Sequence, residues 1–256
     1  MLTDDYHIRT TLSLRTDKDA DIHKIIQLQK DRGMTSIGFA DYDSFFDSKS
    51  KNIGMVRKAI VECEPAISVN LGVESHMLEY GVASIDIQTA SHFDYVLIAP
   101  NPYHLRGAAL PINQHVPRRL AVHEMHMFEA AIACPITDVV VRPFVFPPNS
   151  FGLSQEKLSA FSQEVMYNLD QKRLMQQLDL ASERGLGIEI SPKFILYDQR
   201  HMLEFYQLCV KRNVKLMIGS DAPITTQLKE LALLAPILQE LGVSENQLWR
   251  PEEWRW

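Results

Sequence analysis

The chain has 256 residues, of which 46% are hydrophobic and 23% charged, and its formal net charge is −6. This is ordinary globular composition, and the acidic balance argues against a general nucleic-acid-binding surface. The first residues lack a signal-peptide pattern, no apolar run approaches the roughly 18 residues of a membrane span, and the three cysteines form no CxxC pair. We therefore expect a cytoplasmic protein that contacts neither membrane nor nucleic acid and has no disulfide framework.

The first half of the chain alternates between predicted strands and helices. The stretch 5–13 reads as the first strand, and alternation should place His7 and Arg9 on one face and Tyr6 and Ile8 on the other. A helix should follow the capping-box pattern at 16–19 and end at Gly33. Further elements are predicted as a strand at 36–40, a helix at 51–62, a strand at 66–74 and a β-ribbon at 80–87.

The second half continues the same alternation. The predicted elements are a strand at 94–99, a long loop at 101–117, a helix at 118–133, a strand at 138–141, two helical stretches up to 185, a strand at 187–190, a helix at 199–212, a strand at 215–220 and a last helix at 225–241. Repeated βα units indicate a parallel sheet, and the length suits one α/β barrel, so we expect a single domain over 1–256. The tail tryptophans, Trp249, Trp254 and Trp256, should close the barrel or an interface.

Charged side chains recur where the predicted strands end. The first strand carries His7 and Arg9, and similar clusters follow or end later strands: Asp41-Tyr42-Asp43, Glu74, Arg142, Glu189 and Ser220-Asp221. In a parallel barrel the carboxyl ends of the strands meet at one face, which is where such folds build their sites. Asp94 and Asp138 begin strands instead, so they should be structural.

The order of these strand-end motifs resembles the polymerase and histidinol phosphatase (PHP) family. The resemblance covers about residues 5–240 and is carried by 5–10, 38–43, 72–74, 94–98, 141–144 and 219–223. It implies a distorted (β/α)7 barrel. Typical members bind up to three divalent metals through histidines and carboxylates, and the metals activate water for phosphoester hydrolysis.

Only part of the family's ligand set is present. His7, Glu74 and Asp221 match ligands, whereas five matched positions are changed: Arg9, Tyr42, Asn101, Arg142 and Pro223. Arginine stays protonated and has no lone pair to give a metal, and proline has no side-chain ligand. We therefore expect no cofactor, or else a single Zn or Mn ion on His7, Glu74 and Asp221. His104 or His115 could replace a lost ligand, whereas 123–126 reads as an exposed helix start.

Two main hypotheses for function follow. The barrel is a non-catalytic interaction module with a protein partner, or it binds a small anion such as a phosphorylated molecule through Arg9 and Arg142 without a metal. The alternative is an active phosphoesterase with an altered or single-metal site. Residual hydrolysis would use His7, Asp41 and His104 as catalytic groups. Carboxylates satisfying both arginines would favour the interaction module, and free guanidinium donors in an open pocket would favour the anion site.

Overall fold

The computed structural model describes residues 2–12, 21–46, 51–103, 111, 112, 114–146, 151–197, 199–222 and 225–252. Its strands are β1 (Asp4–Ile8), β2 (Ser36–Tyr42), β3 (Ser68–Glu79), β4 (Val82–Ala83), β5 (Tyr95–Ala99), β6 (Val139–Val140), β7 (Gly187–Ile190) and β8 (Lys215–Ile218). Seven of these strands lie side by side in one sheet, in the order β1-β2-β3-β5-β6-β7-β8. Every neighbouring pair in this order is parallel. β4 lies antiparallel to the end of β3, as the predicted ribbon required.

Helices surround this sheet. They are α1 (Ile22–Asp31), α2 (Asn52–Glu62), α3 (Ile87–Ala90), α4 (Pro117–Ala133), α5 (Gln155–Tyr167), α6 (Gln171–Glu183), α7 (Pro192–Tyr197), α8 (Gln199–Lys211) and α9 (Leu234–Glu240), with 3-10 turns at Asp43–Phe45, Thr225–Leu233 and Glu245–Gln247. The predicted continuous helix over 225–241 is wrong, because its first nine residues form a 3-10 helix. In the described part of the chain, no helix combines the length and apolarity needed to cross a membrane.

The sheet closes almost completely between its two outer strands. One parallel bridge joins Ile8 to Ala222. Beside it, the Asp5 carboxylate accepts a hydrogen bond from the Ser220 amide at 2.9 Å, and the Ser220 hydroxyl donates to the His7 carbonyl at 3.3 Å. A buried carboxylate therefore completes the seam where backbone pairing is sparse. The prediction of a seven-stranded PHP-like (β/α)7 barrel is confirmed.

Strand β1 departs from the predicted alternation. Its pairing with β2 shifts register between Asp5 and Ile8. As a result, Tyr6 packs inside the barrel while Ile8 joins the larger core between the strands and the helices. The expectation that Tyr6 and Ile8 share a face is wrong, because alternation holds only where the strand is regular.

Aromatic rings fill the barrel on the amino-terminal side of the strands. Tyr6, Tyr95 and Trp249 meet edge to face, with ring centroids 5.7 to 6.2 Å apart. Gly38 and Gly72 make room for Tyr95, because a Cβ atom at either position would lie less than 2.5 Å from its ring or hydroxyl. Trp249 is buried here, in agreement with its predicted closing role; Trp254 and Trp256 lie outside the described residues.

The two strand-initial aspartates act on the backbone at the amino-terminal edge. Asp94 accepts a hydrogen bond from the Leu71 amide at 2.7 Å and pairs with Arg57 at 2.9 Å. Asp138 accepts one from the Val96 amide at 2.8 Å. Asp94 thus ties the start of β5 to β3, and Asp138 ties the start of β6 to β5. Both carboxylates have a structural role.

Candidate functional site

The carboxyl ends of the strands bring a group of charged side chains together. Three carboxylates and three cations lie around His7: Glu74, Glu189 and Asp221 with Arg9, Arg142 and Lys193. We call these seven residues the charge network. Arg142 lies two residues after the end of β6 and Asp221 three residues after the end of β8, and they adopt positive φ angles of 51° and 45°. Non-glycine residues rarely adopt this conformation, so the fold holds both in strained geometry at the site.

His7 is the centre of the network. Its Nδ1 lies 2.5 Å from Glu189 Oε1, its Nε2 lies 2.9 Å from Glu74 Oε2, and Asp221 Oδ1 is 3.7 Å from Nε2. All of these groups except Asp221 are fully buried. His7 therefore bridges Glu189 and Glu74 through its two ring nitrogens.

Arg9 is enclosed by acceptors. Its guanidinium contacts Glu74, lies 3.2 Å from Asp221 Oδ1, and donates to the Ala40 carbonyl at 2.9 Å. Its central carbon sits 3.9 Å above the centre of the Tyr42 ring, a cation–π contact. Only 3% of the residue is exposed. Arg9 and Tyr42, at two positions where the resemblance predicts metal ligands, therefore pack on each other.

The less buried residues of the charge network line the mouth of the barrel. The Arg142 guanidinium contacts Glu74 and lies 3.6 Å from Asp221 Oδ2. Lys193, at the start of α7, lies 3.5 Å from the same oxygen and also donates to the Asp221 carbonyl. The side chains of Arg142, Asp221 and Lys193 are 14%, 13% and 21% exposed. Burial alone would raise the pKa of Asp221, but Lys193, Arg142, His7 and Arg9 hold it well below its usual range.

Asp41, predicted as a catalytic group, is bound to the chain after β1. Its carboxylate accepts hydrogen bonds from the Thr10 amide at 2.9 Å and the Thr10 hydroxyl at 2.5 Å. Burial raises its pKa despite these bonds and the nearby Arg9. These contacts shape the turn that carries Arg9, and the catalytic role stays a prediction.

The remaining histidines divide among several places. His104 lies outside the described residues, and His115 is exposed just before α4. The expectation of an exposed helix start at 123–126 is wrong in two respects: α4 begins at Pro117, and Glu124 is buried. An amphipathic helix exposes only one side, so four consecutive residues could not all face solvent.

Sequence reasoning left three contributors out of the candidate site. Glu189 carried the same signal as Glu74, a carboxylate inside an apolar strand. His76 was missed because β3 runs on to Glu79; its Nε2 is 3.4 Å from Glu74 Oε1 and its ring stacks on Tyr42. Burial, with a smaller effect of Arg9, lowers the pKa of His76 to about 4. Lys193 had no comparable signal, because it reaches the site from a short helix after β7.

Comparison with known proteins supports the fold. No family model and no curated protein sequence matches the chain. Among solved structures, a histidinol phosphate phosphatase from Lactococcus lactis, determined with zinc, L-histidinol and phosphate, matches with a TM-score of 0.63 and 11% identity over 94% of each chain. A phospho-2-dehydro-3-deoxyheptonate aldolase from Thermotoga maritima matches with a TM-score of only 0.33 and 11% identity, over 94% of this chain and 68% of its own. The first match shows that this chain has the barrel fold of a PHP phosphatase.

The described residues contain one group that could hold a metal ion. Within the described residues, His7, Glu74 and Asp221 place one ligand atom each within 4.8 Å of one another. Three protein ligands can hold a single ion. However, Arg9 and Arg142 both contact Glu74 and approach Asp221, so an ion would have to displace them.

Proposed function

We propose that this protein is a non-catalytic PHP-like barrel that acts as an interaction module, with the charge network in place of a metal centre. The observation that carries the proposal is that Arg9 and Arg142 each contact Glu74 and lie within 3.6 Å of Asp221. These carboxylates are two of the three groups that could ligate a metal. By pairing with them, the arginines supply the positive charge that metals would otherwise bring.

Electrostatics favours this arrangement over a bound ion. Two like unit charges about 4 Å apart repel by about 4 kcal/mol at an effective dielectric constant of about 20, and a divalent ion doubles that figure. An ion on the three ligands would also lie beside two guanidiniums that cannot lose their protons. Glu74 and Asp221 already have three cationic partners, Arg9, Arg142 and Lys193, and Glu189 lies against His7.

A metal-dependent phosphoesterase remains the second candidate, because His7, Glu74 and Asp221 converge as a ligand group and the fold is that of a zinc-containing phosphatase. In that case the metal would activate water. Arg142 and Lys193, at the mouth, would then contact the phosphate, and Arg9 would have to leave its carboxylate partners.

Metal content and hydrolysis separate the two candidates. The purified protein, dialysed and then incubated with Zn or Mn, is assayed by elemental analysis and with p-nitrophenyl phosphate. We expect no stoichiometric metal and no metal-dependent hydrolysis. One metal per chain, together with hydrolysis that Glu74→Gln abolishes, would establish the phosphoesterase instead.

Anion binding is tested in the same preparation. Thermal stability is measured with and without a millimolar phosphate ester at constant ionic strength. A ligand at 100 times its Kd stabilises a protein by about 2.7 kcal/mol, an easily measured shift. An interaction module should show no shift. A shift lost in Arg142→Gln and kept in Arg173→Gln, which alters an external ion pair with Glu129, would instead assign a metal-independent anion site.

The interaction itself needs a positive result. A protein that co-purifies from the cells of origin should bind again when both proteins are purified separately. A barrel that remains monomeric and binds no such protein in this second step contradicts the proposed module. The cytoplasmic location stays a prediction in either case.

A further inference from the structure

A second buried polar cluster lies beside the site, between β5 and α4. Glu124, on the second turn of α4, is 1% exposed. Its carboxylate accepts a hydrogen bond from Asn101 Nδ2 at 3.1 Å and another from the Tyr103 hydroxyl. Asn101 and Tyr103 belong to the segment that leaves the carboxyl end of β5. Glu124 therefore holds that segment against the helix through two side chains.

The surroundings of this carboxyl are apolar or neutral. Phe151 meets the Tyr103 ring edge to face at 5.4 Å, and Phe146 lies 6.3 Å from it. His123 directly precedes Glu124 on α4, and its ring is 6.5 Å from that of Tyr103. Burial, followed by the charge of His126, lowers the pKa of His123 and so disfavours its charged form. In the described part of the chain, no cation pairs with Glu124.

Burial among neutral groups favours the protonated form of the Glu124 carboxyl. Burial raises the pKa of Glu124 to about 7, although the bonds from Tyr103 and Asn101 lower it. Ionised Glu124 is thus a buried charge supported only by neutral donors, and such a charge favours any conformation that hydrates it. A conformation in which the segment Asn101–Tyr103 lifts away from α4 would hydrate it.

We propose that Glu124 is a proton-operated latch: its neutral carboxyl holds the segment Asn101–Tyr103 against α4, and its ionised carboxylate releases it. The proposal is independent of whether the charge network binds a metal, an anion or a partner. The segment begins two residues after Ala99, which pairs with His76 on β3. It therefore borders the same end of the barrel as the charge network, and its release would change the rim of the mouth.

The direction of the pH dependence follows from linkage. The pKa of Glu124 is about 7 in the closed state and falls toward its ordinary value of 4.5 once hydrated. The closed latch is therefore fully favoured below pH 4.5, loses stability as pH rises toward 7, and changes little above that. Across this interval the ratio of released to closed segment should rise by up to about 300-fold.

The latch can be observed at the Asn101 side chain. NMR would measure how fast its amide protons exchange with solvent, relative to free asparagine, from pH 5 to 8 in the full chain. In wild type this relative rate should rise with pH, whereas in Glu124→Gln, which is uncharged and of the same shape, it should stay constant. Glu164→Gln, an exposed glutamate on α5, should behave like wild type.

A second variant keeps the test decisive if Glu124→Gln does not fold. Tyr103→Phe removes a hydrogen bond that lowers the pKa of Glu124 in the closed state, so the pH at which the relative exchange rate stops rising should be higher than in wild type. A relative exchange rate in wild type that does not change with pH overturns the proposal. So does a pH dependence that persists in Glu124→Gln, or one that Tyr103→Phe leaves in place.

Discussion

Replacing Arg9 by methionine tests whether the charge network stabilises the barrel. Methionine keeps much of the side-chain volume but leaves Glu74 and Asp221 without the more buried of their two arginine partners. It also removes the hydrogen bond to the Ala40 carbonyl and the contact with the Tyr42 ring. Breaking a buried ion pair on one side typically costs about 3–5 kcal/mol, because the remaining charge stays buried. We expect a loss in that range.

For a chain of this length, that loss corresponds to a fall in Tm of about 6–20 °C. Urea unfolding and calorimetry would measure it. Arg9→Lys keeps the charge but cannot reach three acceptors in a fork, so its loss should be intermediate. The matched control is Arg212→Met, which breaks the external pair with Asp179, whose side chains are 37% and 47% exposed; it should cost about 0–1 kcal/mol.

The outcome that refutes this reasoning is a small effect. If Arg9→Met destabilises the protein no more than Arg212→Met does, the buried guanidinium does not neutralise the carboxylates around it. The charge network would then not be a substitute for a metal centre.

Three other predictions follow from the geometry. Gly72→Ala should destabilise the protein by about 1–3 kcal/mol, because its Cβ would lie 2.3 Å from the Tyr95 ring. The control is Gly54→Ala on α2, where a Cβ would have nothing within 4 Å; it should raise the free energy of unfolding by up to about 1 kcal/mol. Equal effects of the two variants in urea unfolding would contradict this packing. Arg142→Gly should be more stable than Arg142→Ala by about 1 kcal/mol, because glycine tolerates the φ of 51°; the opposite order in calorimetry would remove the strain argument. Elemental analysis should find fewer than two divalent ions per chain, and two or more would show that the guanidiniums do not block a cluster.

The barrel could be predicted because its signals are local and repeated. Apolar runs that end in charge mark the carboxyl ends of strands, and helical periodicity between them gives the βα order. The same logic placed His7, Glu74 and Asp221 at one end, where the structure brings them within reach of one another. Backbone detail was harder, since the register shift in β1 and the 3-10 segment before α9 depend on tertiary packing.

The contacts inside the site were less accessible from the sequence. Arg9 and Arg142 share the carboxylates of Glu74 and Asp221. This arrangement depends on how far each strand extends and on the positive φ of Arg142. Lys193 enters from a short helix whose direction no periodicity reveals. Glu124 was misplaced because charged residues on a helix usually face water, and only its two donors from the segment after β5 explain its burial.

The aromatic packing of Tyr6, Tyr95 and Trp249 makes the barrel a cup rather than a tube. Among the described residues, these rings fill its base, and the charge network faces solvent at the rim. A proton, ion or ligand that reaches the network from the rim passes Arg142 and Lys193, its most exposed basic side chains. The sealed base also keeps water from solvating Glu74 and Glu189 from below, and this makes their pairing with His7 and the arginines stronger than it would be in an open channel.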